Sequence, residues 1–152
     1  MIGLLTLFLL SLVGSAFFSS MEMAFVSANK LRLRELADAG DKHARFILQL
    51  QQHPNYFLTA ILIGNNIVNV TAISVATYLF KALWGLDNEW VVMAVMAPLL
   101  IVVGEMVPKD YSRLNAIPTL LGQTFWIRLL TGVLYGPIIL FFKIMGFFGV
   151  SF

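Results

Sequence analysis

The chain has 152 residues, of which 59% are hydrophobic and only 12% charged, with a mean hydropathy of +0.86. Ordinary soluble domains carry roughly 25% charge, so this composition excludes intrinsic disorder and a soluble globular domain, which has no means of covering so much apolar surface. The absence of cysteine excludes disulfides, thiolate metal sites and a cysteine nucleophile, and ten basic residues with a net charge of +2 are too few for nucleic-acid binding.

A bilayer core of roughly 30 Å is crossed by about 20 apolar residues in a helix. Residues 1–21 contain no Asp, Glu, Lys or Arg, and the apolar run continues to Val26. No basic segment precedes it, so it reads as a span over about 2–27 rather than a cleaved leader. Within it Ser11, Gly14, Ser15, Ser19 and Glu22 share one helical face, with Ser20 beside them. Small residues on one face suit helix packing, with serines bonded to their own backbone. That explanation leaves out Glu22, a carboxylate about one turn inside the end of the span.

Residues 28–53 follow, with five bases and three acids between Lys30 and Arg45. Leu31, Leu36, Phe46, Ile47 and Leu50 are interleaved with that charge. The pattern predicts a helical hairpin lying on the membrane surface, capped by Asn29, broken at Gly40-Asp41 and ended by His53-Pro54.

A second uncharged run predicts a span over about 55–80. It contains Gly64-Asn65-Asn66, then Asn69, Thr71 and Ser74. Asn65 and Asn69 share a face and Asn66 points elsewhere. One mid-membrane asparagine suits interhelical hydrogen bonding. Three asparagines after a glycine that frees a carbonyl suit a cation better.

The short loop 81–89 carries Lys81, Asp87 and Glu89, and a third span covers about 89–107. It ends Gly104-Glu105-Met106-Val107-Pro108-Lys109. Pro108 has no N–H, so a helical bond to the Gly104 carbonyl is lost, as Pro98 frees that of Ala94. Glu105 is then either an interfacial charge paired with Lys109 at i+4 or an ion ligand. Juxtamembrane helices are expected over 108–149. Within them residues 129–149, with Gly136-Pro137 and Lys143, suit a span and a juxtamembrane helix equally on composition. Arg128 and Lys143 are then free to snorkel to one interface. The basic excess after spans one and three places both ends on the cytoplasmic side. The N-terminus and the 81–89 loop are then outside.

The spans offer hydroxyl, amide and carboxylate oxygens but no imidazole, since His43 and His53 lie in the hairpin region. Hard oxygen donors of this kind suit Mg²⁺, Ca²⁺ or Na⁺ and disfavour zinc and copper. No base lies near the serines, so nucleophilic serine chemistry has no support, and the chain does not read as an enzyme.

Three segments together resemble the CNNM/CorC family. Phe18-Ser19-Ser20-Met21-Glu22-Met23-Ala24-Phe25, with Ser27 and Leu31, is similar to the family's first-helix motif. Gly64, Asn65 and Asn69 match G-N-x-x-x-N on its second helix. Gly104, Glu105, Pro108 and Lys109 match G-E-x-x-P-K/Q at the end of its third. The resemblance covers about residues 1–130. It implies a homodimeric Mg²⁺ transporter of the cell (inner) membrane, exporting Mg²⁺ in exchange for Na⁺. It also implies three spans, an outside N-terminus and a cytoplasmic belt-like helix over 129–149. The implied ion site involves Ser19, Asn65 and Glu105, with Ser20, Glu22, Gly64, Asn69 and the Gly104 carbonyl nearby and Pro108 as a helix-breaking element. Some relatives have asparagine in place of Glu22. Family members usually continue into cytoplasmic CBS domains; this chain ends at Val150-Ser151-Phe152 and reads as the transmembrane domain alone. The alternatives are an Mg²⁺ sensor or membrane scaffold without flux, and an Mg²⁺ channel without Na⁺ dependence.

Overall fold

The computed structural model of the chain describes residues 1–85 and 88–147. Among these every regular element is a helix. Asp87 and the Val150-Ser151-Phe152 terminus lie outside the described residues, as do the side chains of Glu89 and Lys143.

Helix α1 spans Ile2–Ser27, and its apolar residues surround it on all sides, as expected where the surroundings are lipid. Two nine-residue helices follow, α2 (Lys30–Asp38) and α3 (Lys42–Leu50). Asn29 caps α2, accepting from Leu31 N at 2.9 Å, and Asp41 caps α3, accepting from His43 N at 2.8 Å. Between them Gly40 adopts φ +98°, which only glycine takes readily. Helix α4 (Pro54–Trp84) opens with proline, whose missing N–H is harmless in a first turn, and closes at left-handed Gly85.

Asn88 caps α5 (Glu89–Leu99), its side-chain oxygen accepting from Trp90 N–H. The chain then winds as a π-helix over Leu100–Met106 before α6 (Val107–Leu114) and α7 (Ala116–Phe147). Pro108 does not break the helical path: α5, the π-helical stretch and α6 follow one another without a loop, and length and composition allow a crossing anywhere within Trp90–Leu114. α7 likewise runs unbroken through Gly136-Pro137.

Four helical segments are long and apolar enough to cross a bilayer: Ile2–Ser27, Pro54–Leu83, Trp90–Leu114 and Ala116–Leu134. Length and composition thus allow one crossing more than the three expected, because α7 begins at Ala116 and gathers into one helix residues that the sequence divided near 129. Only 17–22% of each span's most apolar window is buried within the monomer, so most of that apolar surface faces outward. This is the arrangement of a membrane protein, whose spans are solvated by lipid.

α1 lies at the centre, packed on α4, the π-helical stretch, α6 and α7. A hydrophobic cluster of Met21, Phe25, Leu33, Ile47, Phe57 and Leu120, with their neighbours, binds the α2–α3 hairpin to the ends of α1, α4 and α7. The Phe25 and Phe57 rings lie 4.5 Å apart, and Gln51 Nε2 donates to the Phe25 carbonyl at 3.3 Å. A smaller cluster of Ala76, Val92 and Met96 closes the other end.

Candidate functional site

The polar face of α1 divides into two kinds of residue. Ser11 donates to its own Leu7 carbonyl at 2.8 Å, and Gly14 seats Val68, whose Cγ1 would lie 3.1 Å from an added Cβ. These are packing positions. Ser15, which the sequence placed with them, instead reaches across: its Oγ lies 3.4 Å from both Asn65 Oδ1 and the Gly104 carbonyl. A hydroxyl has one proton, so it serves one of these two acceptors at a time.

The Gly104 carbonyl is reachable because of the winding beneath it. Pro108 has no N–H to offer it, and Val107 N–H bonds to Val102 O, five residues back. Such π-helical turns gather at functional positions. An added Cβ on Gly104 would sit 2.9 Å from Ser15 Oγ, so the contact of α1 with this stretch requires glycine. Gly64 plays a matching part on α4. The helix runs unbroken through it, and an added Cβ would meet the Phe18 ring at 2.6 Å. The structure thus shows Gly64 as the seat of an aromatic ring.

Next to Gly104, Glu105 Oε1 accepts from Asn69 Nδ2 at 3.2 Å. Lys109 does not reach back to Glu105; it pairs with Glu22 of α1 at 3.1 Å. Lys109 lies on α6, which packs on α1, and Glu22 there takes its ammonium instead. Ser20 Oγ lies 2.6 Å from Ser112 Oγ, and Gln123 Nε2 donates to Ser20 at 3.4 Å. Asn66 is exposed, turned away from this column.

Three members keep oxygens that are buried and have no hydrogen-bond partner: Ser19 Oγ, Asn69 Oδ1 and Gln123 Oε1. Ser19 is fully buried. An unsatisfied buried polar atom costs about 1–3 kcal/mol, and three along one column call for something that binds oxygen. Among the described residues no three His, Cys, Asp or Glu side chains converge. A cation here would be held by hydroxyl, amide and carbonyl oxygens with Glu105, a donor set suited to hard ions.

The structure therefore brings Ser19, Ser20, Asn65, Asn69, Gly104 and Glu105 to one helical crossing, with the Glu22–Lys109 pair at the end nearer the hairpin. It adds Ser15, Ser112 and Gln123. The readable signal for Gln123 was an amide inside an apolar run; Ser112 sits in a charged segment and gave none.

Fold and site together define a multi-pass helical membrane protein with an oxygen-lined column through its helix crossing. Residues 4–150 match the family described as the cyclin M (CNNM) transmembrane N-terminal domain, and the chain belongs to that family. It is 36% identical over 118 residues to a UPF0053 protein of Haemophilus influenzae, covering 76% of this chain and 28% of that one. It is 31% identical over 100 residues to the Escherichia coli UPF0053 inner membrane protein YfjD, covering 66% and 23%. A 56-residue stretch is 39% identical to the polyamine export protein of Escherichia coli, covering 37% and 12%. The chain thus spans about a quarter of the length of the first two relatives. These similarities support a membrane role, and transport as its general kind.

Proposed function

We propose that the chain forms the ion-conducting core of an Mg²⁺ exporter driven by Na⁺ entry. The observation that carries this reading is the pair of partnerless buried oxygens, Ser19 Oγ and Asn69 Oδ1, on the column that holds the Glu105–Asn69 contact. Mg²⁺ gives up its waters reluctantly and is satisfied by few carboxylates with several rigid oxygens. Cytosolic Mg²⁺ enters past Glu22, displaces the Asn69 amide from Glu105, and is held by Glu105 with Ser19, Asn65 and the Gly104 carbonyl. The π-helical turn beside Pro108 is the bending point for alternating access. In this reading the N-terminus lies outside, α7 lies along the cytoplasmic interface as a belt, the protein works as a homodimer, and CBS domains follow in the full-length protein. A sensor or a channel would use the same oxygens.

The test is Mg²⁺ flux in proteoliposomes with and without an opposing Na⁺ gradient, beside Glu105→Ala. Na⁺-dependent flux that the substitution abolishes supports the exchanger. Na⁺-independent flux identifies a channel. Mg²⁺ binding without flux, in both this chain and the full-length protein, identifies a sensor.

A second reading, a polyamine substrate, is favoured by the relative named for polyamine export and by two carboxylates, Glu105 and Glu22, on one column. A polyamine that competes with Mg²⁺ and is itself carried across would establish it.

A further inference from the structure

A cleft of about 810 Å³ opens between the hairpin, the start of α4 and α7. Phe46 and Gln49 of α3, His53 and Tyr56 at the start of α4, and Arg128 and Gly132 of α7 line it. It lies where the charged hairpin meets the apolar spans, at the level of a membrane–water interface.

Arg128 is its cation. The guanidinium lies 4.7 Å from the centre of the Phe46 ring, a contact that fixes its position over the cleft. Among the described residues no carboxylate pairs with it, whereas Arg32 is held by Glu35 and Arg113 by Asp110. The cleft also reaches the first turn of α4, a 31-residue helix whose N-terminus has no side-chain cap. The positive dipole end of such a helix attracts anions. An unpaired arginine on an otherwise apolar stretch and an uncapped helix start thus meet in one cleft with apolar walls at Leu50 and Gly132.

We infer that this cleft binds the phosphate headgroup of an anionic phospholipid, with Arg128 on the phosphate and the acyl chains running along α7 past Gly132. Arginine matches phosphate with two parallel N–H bonds, and basic pockets between membrane helices are a recognised setting for acidic headgroups. The volume suits a headgroup and the first carbons of its chains rather than a whole lipid. The bound lipid bridges α3, α4 and α7, so it fastens the hairpin to the membrane.

The experiment is native mass spectrometry of the chain released from detergent with phosphatidylglycerol or phosphatidylcholine, comparing Arg128→Gln with Arg113→Gln. The expected result is phosphatidylglycerol retained in preference to phosphatidylcholine. Arg128→Gln weakens that retention about tenfold, the scale of one lost charge-assisted hydrogen bond, and Arg113→Gln leaves it unchanged. Equal retention of the two lipids, equal loss in both variants, or displacement of the lipid by millimolar inorganic phosphate overturns the inference. Should Arg128→Gln fail to fold, the unaltered chain decides through a photoactivatable phosphatidylglycerol. Cross-links in residues 46–56 and 128–132 support the site, and cross-links elsewhere only, or none, overturn it.

Discussion

Two buried regions meet along α1 and are built on opposite principles. Toward the hairpin, Met21, Phe25, Phe57, Ile47 and Leu120 bury apolar side chains against one another, and the buried, partnerless Gln51 Oε1 beside them belongs to an amide already tied to the Phe25 carbonyl through its Nε2. One or two turns away, Ser15, Ser19, Asn65, Asn69 and Glu105 also fill the crossing, but Ser19 Oγ and Asn69 Oδ1 lack partners. The first region stabilises the fold in the absence of any ligand. The second is held together by its neighbours and is under-satisfied until something enters it. Substitutions should therefore separate the two: stability without affinity in one, affinity without stability in the other.

The largest expected effect lies in the apolar region. Phe57 is fully buried and packs against the Phe25 ring at a tilt, so Phe57→Ala removes about 3–5 kcal/mol of stability. Unfolding in mixed micelles measures the loss. The protein that remains folded should bind Mg²⁺ with unchanged affinity, and a matching loss of affinity would merge the two regions into one.

Next comes the column. Ser19→Ala and Asn69→Ala each remove a buried oxygen that has no hydrogen-bond partner among the described residues. Titration calorimetry should show Mg²⁺ binding weakened about 10–100-fold, the scale of removing one group that supports a metal site. Unfolding of the metal-free Ser19→Ala protein should show no loss of stability. Marked destabilisation with unchanged affinity would make Ser19 a packing residue only.

Gly64→Ala sharpens the boundary between the regions. The new methyl would lie 2.6 Å from Phe18 Cζ, so the ring or the α1–α4 spacing must shift. Overpacking of this kind costs about 1–3 kcal/mol. Because Asn65 follows directly, Mg²⁺ affinity should fall together with stability. Phe18→Leu in the same background frees the space and should restore both.

What the sequence made legible follows from this contrast. Polar residues in an apolar run are conspicuous, and helical spacing says which share a face; hence Ser19, Asn65, Asn69 and Glu105 were readable. The capped hairpin was readable too, because Asn29, Gly40 and Asp41 act on their immediate neighbours. Pairings set by tertiary approach were not. Ser15 resembles any small packing residue until α4 and the π-helical stretch close on it. Lys109 stands four residues from Glu105, yet α6 packs on α1 and Glu22 of that helix receives it. The π-helical winding over Leu100–Met106 likewise hid that the helical path continues through Pro108. The number of crossings escaped the sequence for another reason: α7 is one apolar helix long enough either to cross the membrane or to lie along it.

The smallest expected effect concerns that Glu22–Lys109 pair. Its side chains are 42% and 36% exposed, at the end of the column nearer the hairpin. An ion pair so open to its surroundings is worth about 0–1 kcal/mol, so Glu22→Gln should leave unfolding nearly unchanged. Glu22 lies three residues beyond Ser19 on α1, about 4.5 Å along the helix, and its carboxylate is engaged by Lys109. In the proposed exporter its contribution is to attract the cation and to hold Lys109 aside. In Glu22→Gln the lysine loses its partner and leaves a positive charge facing the entrance, which repels an entering cation. Mg²⁺ uptake by the site should therefore slow, with the deficit shrinking as ionic strength rises, and Lys109→Met in the same chain should recover part of the rate. A deficit insensitive to salt, with equilibrium affinity reduced as far as in Asn69→Ala, would instead place Glu22 among the ligands and extend the column's binding region to its mouth.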